Sequence, residues 1–378
     1  MDPQTILRSV KTRSEWIRTT LRELVLQESP SEDKAAVNAA MAIAERHAVS
    51  LGGRVRRHRQ KVFGDVLELR FGPQNLARKP LVLLGHLDTV WPIGTLTGMP
   101  WREEKGRYWG PGVLDMKAGV VMALAAVSTL RELKLARPVT LLINSEEEVG
   151  SPVSRGITEK LALESEAVFV LEPAQGLAYK TARKGVGFYN VQVTGVGAHS
   201  GVDFERGHSA VLELAKLVQT MSNFTNLERS LTVNCGVVAG GTRSNVIASE
   251  AHAEVDVRIA KASDAAYVEK LFRGLRVSDP HCKLEITGGI NRPPMERKAG
   301  TIALFKKARK LAAEIGFELD EASTGGGSDG NFTAALGVPT LDGMGAVGEG
   351  AHAAHESVVI EHLVPRTALL AAMIASVD

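Results

Sequence analysis

Apolar residues along the first 175 positions follow two spacings. Asp33 to Val49 sets Ala36, Val37, Ala40, Ile43 and Ala44 on one helical face, and the first thirty residues read as an amphipathic helix with Ile6, Leu7, Val10, Trp16, Ile17, Leu21 and Leu24 opposite Arg8, Lys11, Arg13, Arg18 and Arg22. Val66 to Phe71, Leu81 to Leu84, Val139 to Ile143 and Ala167 to Leu171 are short runs that predict strands, and Met116 to Leu135 predicts a long apolar helix. Continuous apolar strands separated by helices imply a sheet buried on both faces, so the expected class is α/β with a mixed, mostly parallel sheet flanked by helices.

Near residue 180 the pattern changes. Gly187 to Thr194 alternates, Ala210 to Met221 is helical, Leu231 to Val238 and Ala251 to Ile259 are strand-like, Ala265 to Leu275 is helical and Cys282 to Thr287 is a strand. That order predicts a ferredoxin-like β-α-β-β-α-β unit. After Pro293 and Pro294 the helix–strand alternation resumes with Thr301 to Ile315, a glycine loop from Gly325, Val338 to Leu341 and a last helix from Val364 to Ile374. The predicted organisation is a first domain in two parts, 1–180 and 292–378, with 181–291 inserted as a ferredoxin-like α+β domain.

Composition narrows the function classes. The 378 residues are 44% hydrophobic and 23% charged, which excludes disordered and fibrous classes. A net charge of +2 gives no electrostatic reason to expect nucleic acid or a membrane as partner, leaving small ligands. Cys235 and Cys282 are too few for a disulfide framework and lack the paired spacing of a zinc ribbon. With no signal-peptide-like run near the start and no stretch of 18 consecutive apolar residues, a cytoplasmic location is expected.

Chemistry enters at the strand ends. Leu81–Leu84 runs into Gly85-His86-Leu87-Asp88, Val139–Ile143 into Asn144-Ser145-Glu146-Glu147-Glu148, and Val168–Leu171 into Glu172-Pro173. Ligands of open α/β sheets bind outside the carboxyl ends of strands, so these groups should converge on one crevice, joined by Asp115 from the loop Gly110–Asp115. His86 and Asp88 are two apart, on one face of extended backbone, so Asp88 is placed to accept a hydrogen bond from one imidazole nitrogen and leave the other for a metal. Three successive carboxylates at Glu146, Glu147 and Glu148 repel one another, a repulsion that a cation relieves.

Taken in order, GHLDTV (85–90), GPGVLDMKAG (110–119), EEEVGS (146–151), LEPA (171–174), GAHSG (197–201), GGTRSNVI (240–247), DVR (256–258), GGGSD (325–329) and GEGAH (348–352) resemble the di-zinc aminoacylase and carboxypeptidase family. That group includes glutamate carboxypeptidase, succinyl-diaminopimelate desuccinylase and acetylornithine deacetylase, and the sequence is most similar to the glutamate carboxypeptidase branch. The resemblance implies His86, Asp115 and Glu172 on one zinc ion and Asp115, Glu148 and His352 on the other, with Asp115 bridging. Co²⁺ and Mn²⁺ suit the same donors. His355 rivals His352, but the family pattern of a histidine with an acidic residue four later fits His352 with Glu356. Glu147 is implied as general base, with Asp88 beside His86.

The resemblance further implies that His199 reaches the partner subunit's active site in a homodimer built through the inserted domain, and that Asn245 and Arg258 hold substrate. Backbone amides around Gly326, Gly327 and Ser328 are expected to bind a substrate carboxylate. Arg183 and Lys184 match no role. The expected activity is hydrolysis of an amide next to a free carboxylate, with release of C-terminal glutamate from a small peptide preferred, and N-acyl-amino-acid deacylation as the alternative. A metal-free binding or scaffold protein is the reading from a different class; it is disfavoured because all five implied ligands and the implied base are present.

Overall fold

A computed structural model of the chain describes residues 2–73, 78–134 and 137–377. They fall into two units: Met1–Ala182 with Arg297–Ser323 and Ser328–Asp378, and Arg183–Glu296 with Thr324–Gly327.

The first unit carries a six-stranded sheet in the order Arg54–His58, Val66–Phe71, Val139–Asn144, Leu81–His86, Ala167–Val170 and Thr340–Leu341. The last four run parallel and the first two join antiparallel. Side chains alternate across a strand, so the apolar runs divide between two cores. Leu81, Leu83, Leu141, Ile143, Ala167 and Phe169 belong to the larger, with the helices Ala118–Glu132, Ala299–Ile315 and Ile360–Ser376. Val82, Leu84, Leu142, Val168 and Val170 face the smaller, which includes Leu161 and Ala162 of the helix Arg155–Leu163. Both faces are covered, and the strand ends remain for chemistry.

Several expected elements differ in detail. The amphipathic start is two helices, Pro3–Lys11 and Ser14–Leu26. The helix expected from Asp33 begins at Lys34, because Asp33 is its cap and accepts a hydrogen bond from the Ala36 amide at 3.0 Å. The long apolar helix opens as an irregular turn, Val113–Lys117, since Asp115 and Met116 leave helical dihedrals; the regular helix is Ala118–Glu132, and Leu135 lies outside the described residues. Among the described residues, the stretch Val113–Glu132 is long and apolar enough to cross a membrane, but it is 89% buried and serves as a core helix.

The second unit is a four-stranded antiparallel sheet in the order Thr232–Gly240, Glu250–Ile259, Gly185–Thr194, Lys283–Arg292. With helices Ala210–Ser222 and Ser263–Arg273 between strands, this is the ferredoxin-like arrangement. Tyr189, Val191 and Val193 alternate into its core beside Leu214, Leu217 and Val268, and the Tyr189 ring stacks on Phe272 at 3.7 Å. The boundary at 291 needs correction. Residues through Glu296 and the segment Thr324–Gly327 join this unit, because Arg183 exchanges backbone hydrogen bonds with Met295 and the Thr324 carbonyl accepts from the Lys184 amide.

Candidate metal centre and substrate loop

The parallel strands deliver their ends to one place. His86 closes the Leu81–His86 strand, the turn Glu147–Val149 follows Val139–Asn144, and Glu172 follows Ala167–Val170. His86 is buried, with Nε2 3.4 Å from Asp115 Oδ1 and 3.7 Å from Glu172 Oε1. His352, half-exposed, sets its Nε2 3.3 Å from Asp115 Oδ2 and 3.1 Å from Glu148 Oε1. Asp115 therefore turns one oxygen to each imidazole. Donor atoms of His86, Asp115 and Glu148 lie within 4.8 Å of one another, as do those of His86, Glu147 and Glu172.

Electrostatics confirm how crowded the cluster is. Burial alone would discharge the His86 imidazole, but hydrogen bonds to Asp115, Asp88 and Glu172 hold its pKa well above the ordinary value. His352 is raised to about 10 by its bonds to Asp115 and Glu148. Asp115 is buried, and the two imidazoles still hold its carboxyl well below the usual range. Glu148 goes the other way, to about 7, through burial, with His352 opposing and the Asp115 charge adding. Two atoms in this web, His86 Nε2 and Asp115 Oδ1, are buried without a hydrogen-bond partner. Buried polar atoms in that condition are rare, and an imidazole nitrogen facing carboxylate oxygens is a donor set that fits a divalent cation.

Asp88 has a different job from the one its spacing predicts. His86 Nδ1 meets the Asp88 backbone carbonyl at 3.0 Å, while the carboxylate stands 3.4 Å away. The Asp88 carboxylate, fully buried, accepts instead the amides of Glu147 and Glu148, both at 3.1 Å, and the Ser31 hydroxyl at 2.7 Å. One side chain thus orients two neighbouring glutamates. Glu146 is turned away from the cluster: its carboxylate accepts from the Ser154 amide at 2.6 Å and the Val153 amide at 3.2 Å. The acidic triplet is consequently not three like charges at one point.

Glu356 carries more of the site than its sequence signal indicates. Its buried carboxylate accepts the amides of Gly112 at 2.9 Å, Leu114 at 2.8 Å and Asp115 at 3.1 Å, and the Trp91 indole N–H at 2.8 Å. Burial raises its pKa despite these donors. Arg366, also missed, donates to the carbonyls of Gly343, Gly345 and Leu177. This fixes the strap where Gly345 bonds the Glu172 carbonyl. A side chain at Gly345 would stand 2.1 Å from the Leu171 carbonyl oxygen, so only glycine fits that approach.

In the second unit His199 and Asn245 are neighbours: His199 pairs with Val246, and the Asn245 carbonyl accepts from the Ser200 amide at 3.0 Å. His199 Nδ1 accepts from the Gly201 amide. Arg258 already holds a carboxylate, that of Asp256, in a forked contact at 2.9 and 2.8 Å. Its remaining nitrogen points to the Gly325 carbonyl at 3.4 Å. Arg183, unassigned from sequence, donates to the carbonyls of Gly326 and Gly327 at 3.2 and 3.1 Å. Arg292 lies against Gly327, where a Cβ would come within 3.1 Å of its Cδ and 2.7 Å of Val186. Ser328 departs from expectation. It is fully buried in the first unit, its amide donates to Asn331 Oδ1 at 3.0 Å and its hydroxyl to Asp342 at 2.6 Å, so it heads the short helix Gly330–Ala335 and has no amide for a ligand.

An α/β sheet whose strand ends gather imidazoles and carboxylates around orphaned donors defines a metal-dependent hydrolase. The chain belongs to the peptidase family M20/M25/M40, whose model matches residues 82–376. It is 30% identical over 364 residues to carboxypeptidase G2 of Pseudomonas sp. (strain RS-16), covering 93% of this chain and 87% of that protein. It is 26% identical to acetylornithine deacetylase of Myxococcus xanthus, covering 95% and 97%. Among solved structures, the M20 metallo-carboxypeptidase Sso-CP2 of Sulfolobus solfataricus has a TM-score of 0.78 at 19% identity, covering 95% of this chain and 98% of that one. Aminopeptidase PepT of Bacillus cereus has 0.77 at 22%, covering 96% and 98%.

Proposed function

We propose that the chain is a di-zinc exopeptidase that releases C-terminal glutamate, with His86, Asp115 and Glu172 holding one ion and Asp115, Glu148 and His352 the other. The observation that carries this is Asp115, one oxygen toward each imidazole, with His86 Nε2 beside it unpartnered. Bound zinc would acidify a coordinated water and polarise the scissile carbonyl. The Glu147 carboxylate takes the proton of the attacking water and delivers it to the leaving amine nitrogen, a role open to the glutamate whose neighbour is the ligand. Asp88 holds both backbones in register for that division of labour.

Recognition of the free carboxylate is assigned to the second unit. Arg183, Arg258 and Arg292 surround Gly325–Gly327, and only Asp256 offsets them in the contacts described above. This surplus of guanidinium charge favours an anionic substrate end. Because Arg258 is held by Asp256, it acts with Arg183 and Arg292 rather than alone. Asn245 and His199, adjacent on their loop, are assigned to the substrate carbonyl, with His199 serving the partner subunit of a homodimer. The similarity to acetylornithine deacetylase keeps N-acyl-amino-acid deacylation as the second reading.

Turnover of a panel of C-terminal glutamate amides against N-acyl amino acids lacking glutamate decides between them. The first reading predicts that glutamate amides are hydrolysed fastest; preference for other N-acyl amino acids selects the second, and no amide hydrolysis with zinc present rejects both.

A further inference from the structure

The loop leaving the metal centre is unusual in its chemistry. From Thr89 to Trp101 there is no Asp, Glu, Lys or Arg. Val90 is 43% exposed and Ile93 58% exposed, on either side of Trp91 and Pro92. Exposed apolar side chains placed together mark binding surfaces more often than chance decoration.

The loop is also held rigidly. Thr89 lies against the ligand loop, since a Cβ at Gly112 would stand 2.6 Å from its Cγ2. The Trp91 indole is tied to Glu356, the same carboxylate that accepts the Asp115 amide. Farther on, Glu28 accepts the amides of Gly94 and Leu96, each at 2.8 Å. A fixed apolar platform loses little entropy when a ligand docks on it.

We infer that Val90, Trp91 and Ile93 form an apolar subsite for the acyl group on the carbonyl side of the scissile amide, so that a neutral aryl or extended alkyl acyl group is preferred to acetyl and to anionic acyl groups such as succinyl. The inference rests on the amide-hydrolase reading above and extends it to the other half of the substrate. A loop without cations, with Glu28 and Glu356 behind it, offers nothing to a second carboxylate and much to a ring.

The test uses the zinc-loaded Glu147→Gln protein, which holds substrate without turning it over, and titrates it calorimetrically with N-benzoyl-, N-acetyl- and N-succinyl-L-glutamate. The expected result is about 10-fold tighter binding of the benzoyl compound than of either other, a span ordinary for one filled apolar pocket. Adding Ile93→Ser, at a side chain too exposed to support the fold, should bring the benzoyl affinity down toward the acetyl value and leave the acetyl value unchanged. Trp91→Phe, which keeps a ring and loses the bond to Glu356, should retain most of the preference. Equal affinities, a succinyl preference, or a benzoyl preference indifferent to Ile93→Ser would overturn the subsite while leaving the hydrolase reading intact. Binding of none of the three, together with no hydrolysis by the unaltered protein, would overturn the hydrolase reading itself.

Discussion

At the scale of single residues, the site turns on which of two adjacent glutamates binds metal and which moves a proton. Both amides are fastened to Asp88, so the pair cannot rotate to exchange places without breaking two hydrogen bonds to a buried carboxylate. Glu147→Gln should keep its metal and lose kcat by about 10²–10⁴-fold, the usual worth of one proton-transfer group; loss of metal with turnover preserved would reverse the assignment, and elemental analysis beside steady-state kinetics reads both. Glu356→Gln replaces two acceptor oxygens by one acceptor and one donor facing three amides and an indole N–H. Zinc affinity, measured against a competing chelator, should fall by roughly 10–100-fold, as for other groups that orient ligands. The sequence made His86, Glu147, Glu148 and Glu172 legible because each sits at the end of an apolar run. Glu356 was legible only as a spacing that chose His352 over His355, since its partners lie some 240 positions away.

Elements show the same division. Strands buried on both faces were readable from continuous apolar runs, and the inserted sheet from alternation such as Tyr189, Val191 and Val193. The edge strand Arg54–His58 was not, because four of its five residues are Arg or His and its pairing is fixed by backbone register with Val66–Phe71. Such charge on an edge discourages pairing with other chains. The glycine loop was placed with the wrong element: its carbonyls, rather than its amides, are engaged, by Arg183 and Arg258, residues no local pattern connects to it. Arg366 illustrates what tertiary context adds. Its guanidinium is buried and spans three carbonyls of separate turns, so Arg366→Met should destabilise the protein by about 3 kcal/mol in denaturant unfolding, through carbonyls left without donors. A change below about 0.5 kcal/mol would show that the strap beside Glu172 is held by other contacts.

For the whole molecule, the chain joins a catalytic sheet to an inserted ferredoxin-like unit, and the proposed function assigns them metal chemistry and carboxylate recognition respectively. If His199 serves the partner's site, Glu147→Gln and His199→Ala chains, each inactive alone, should recover activity on subunit exchange. With random pairing half the dimers are mixed and each has one complete site, giving about a quarter of the normal sites; no recovery despite verified exchange, or a monomer in sedimentation, would remove the composite site. All of these assignments depend on Asp115 lying between two cations. The zinc-to-chain ratio of protein loaded with zinc and freed of excess tests that most directly. A ratio of two is predicted, and a ratio of one or zero would contradict the bridged centre on which the account stands.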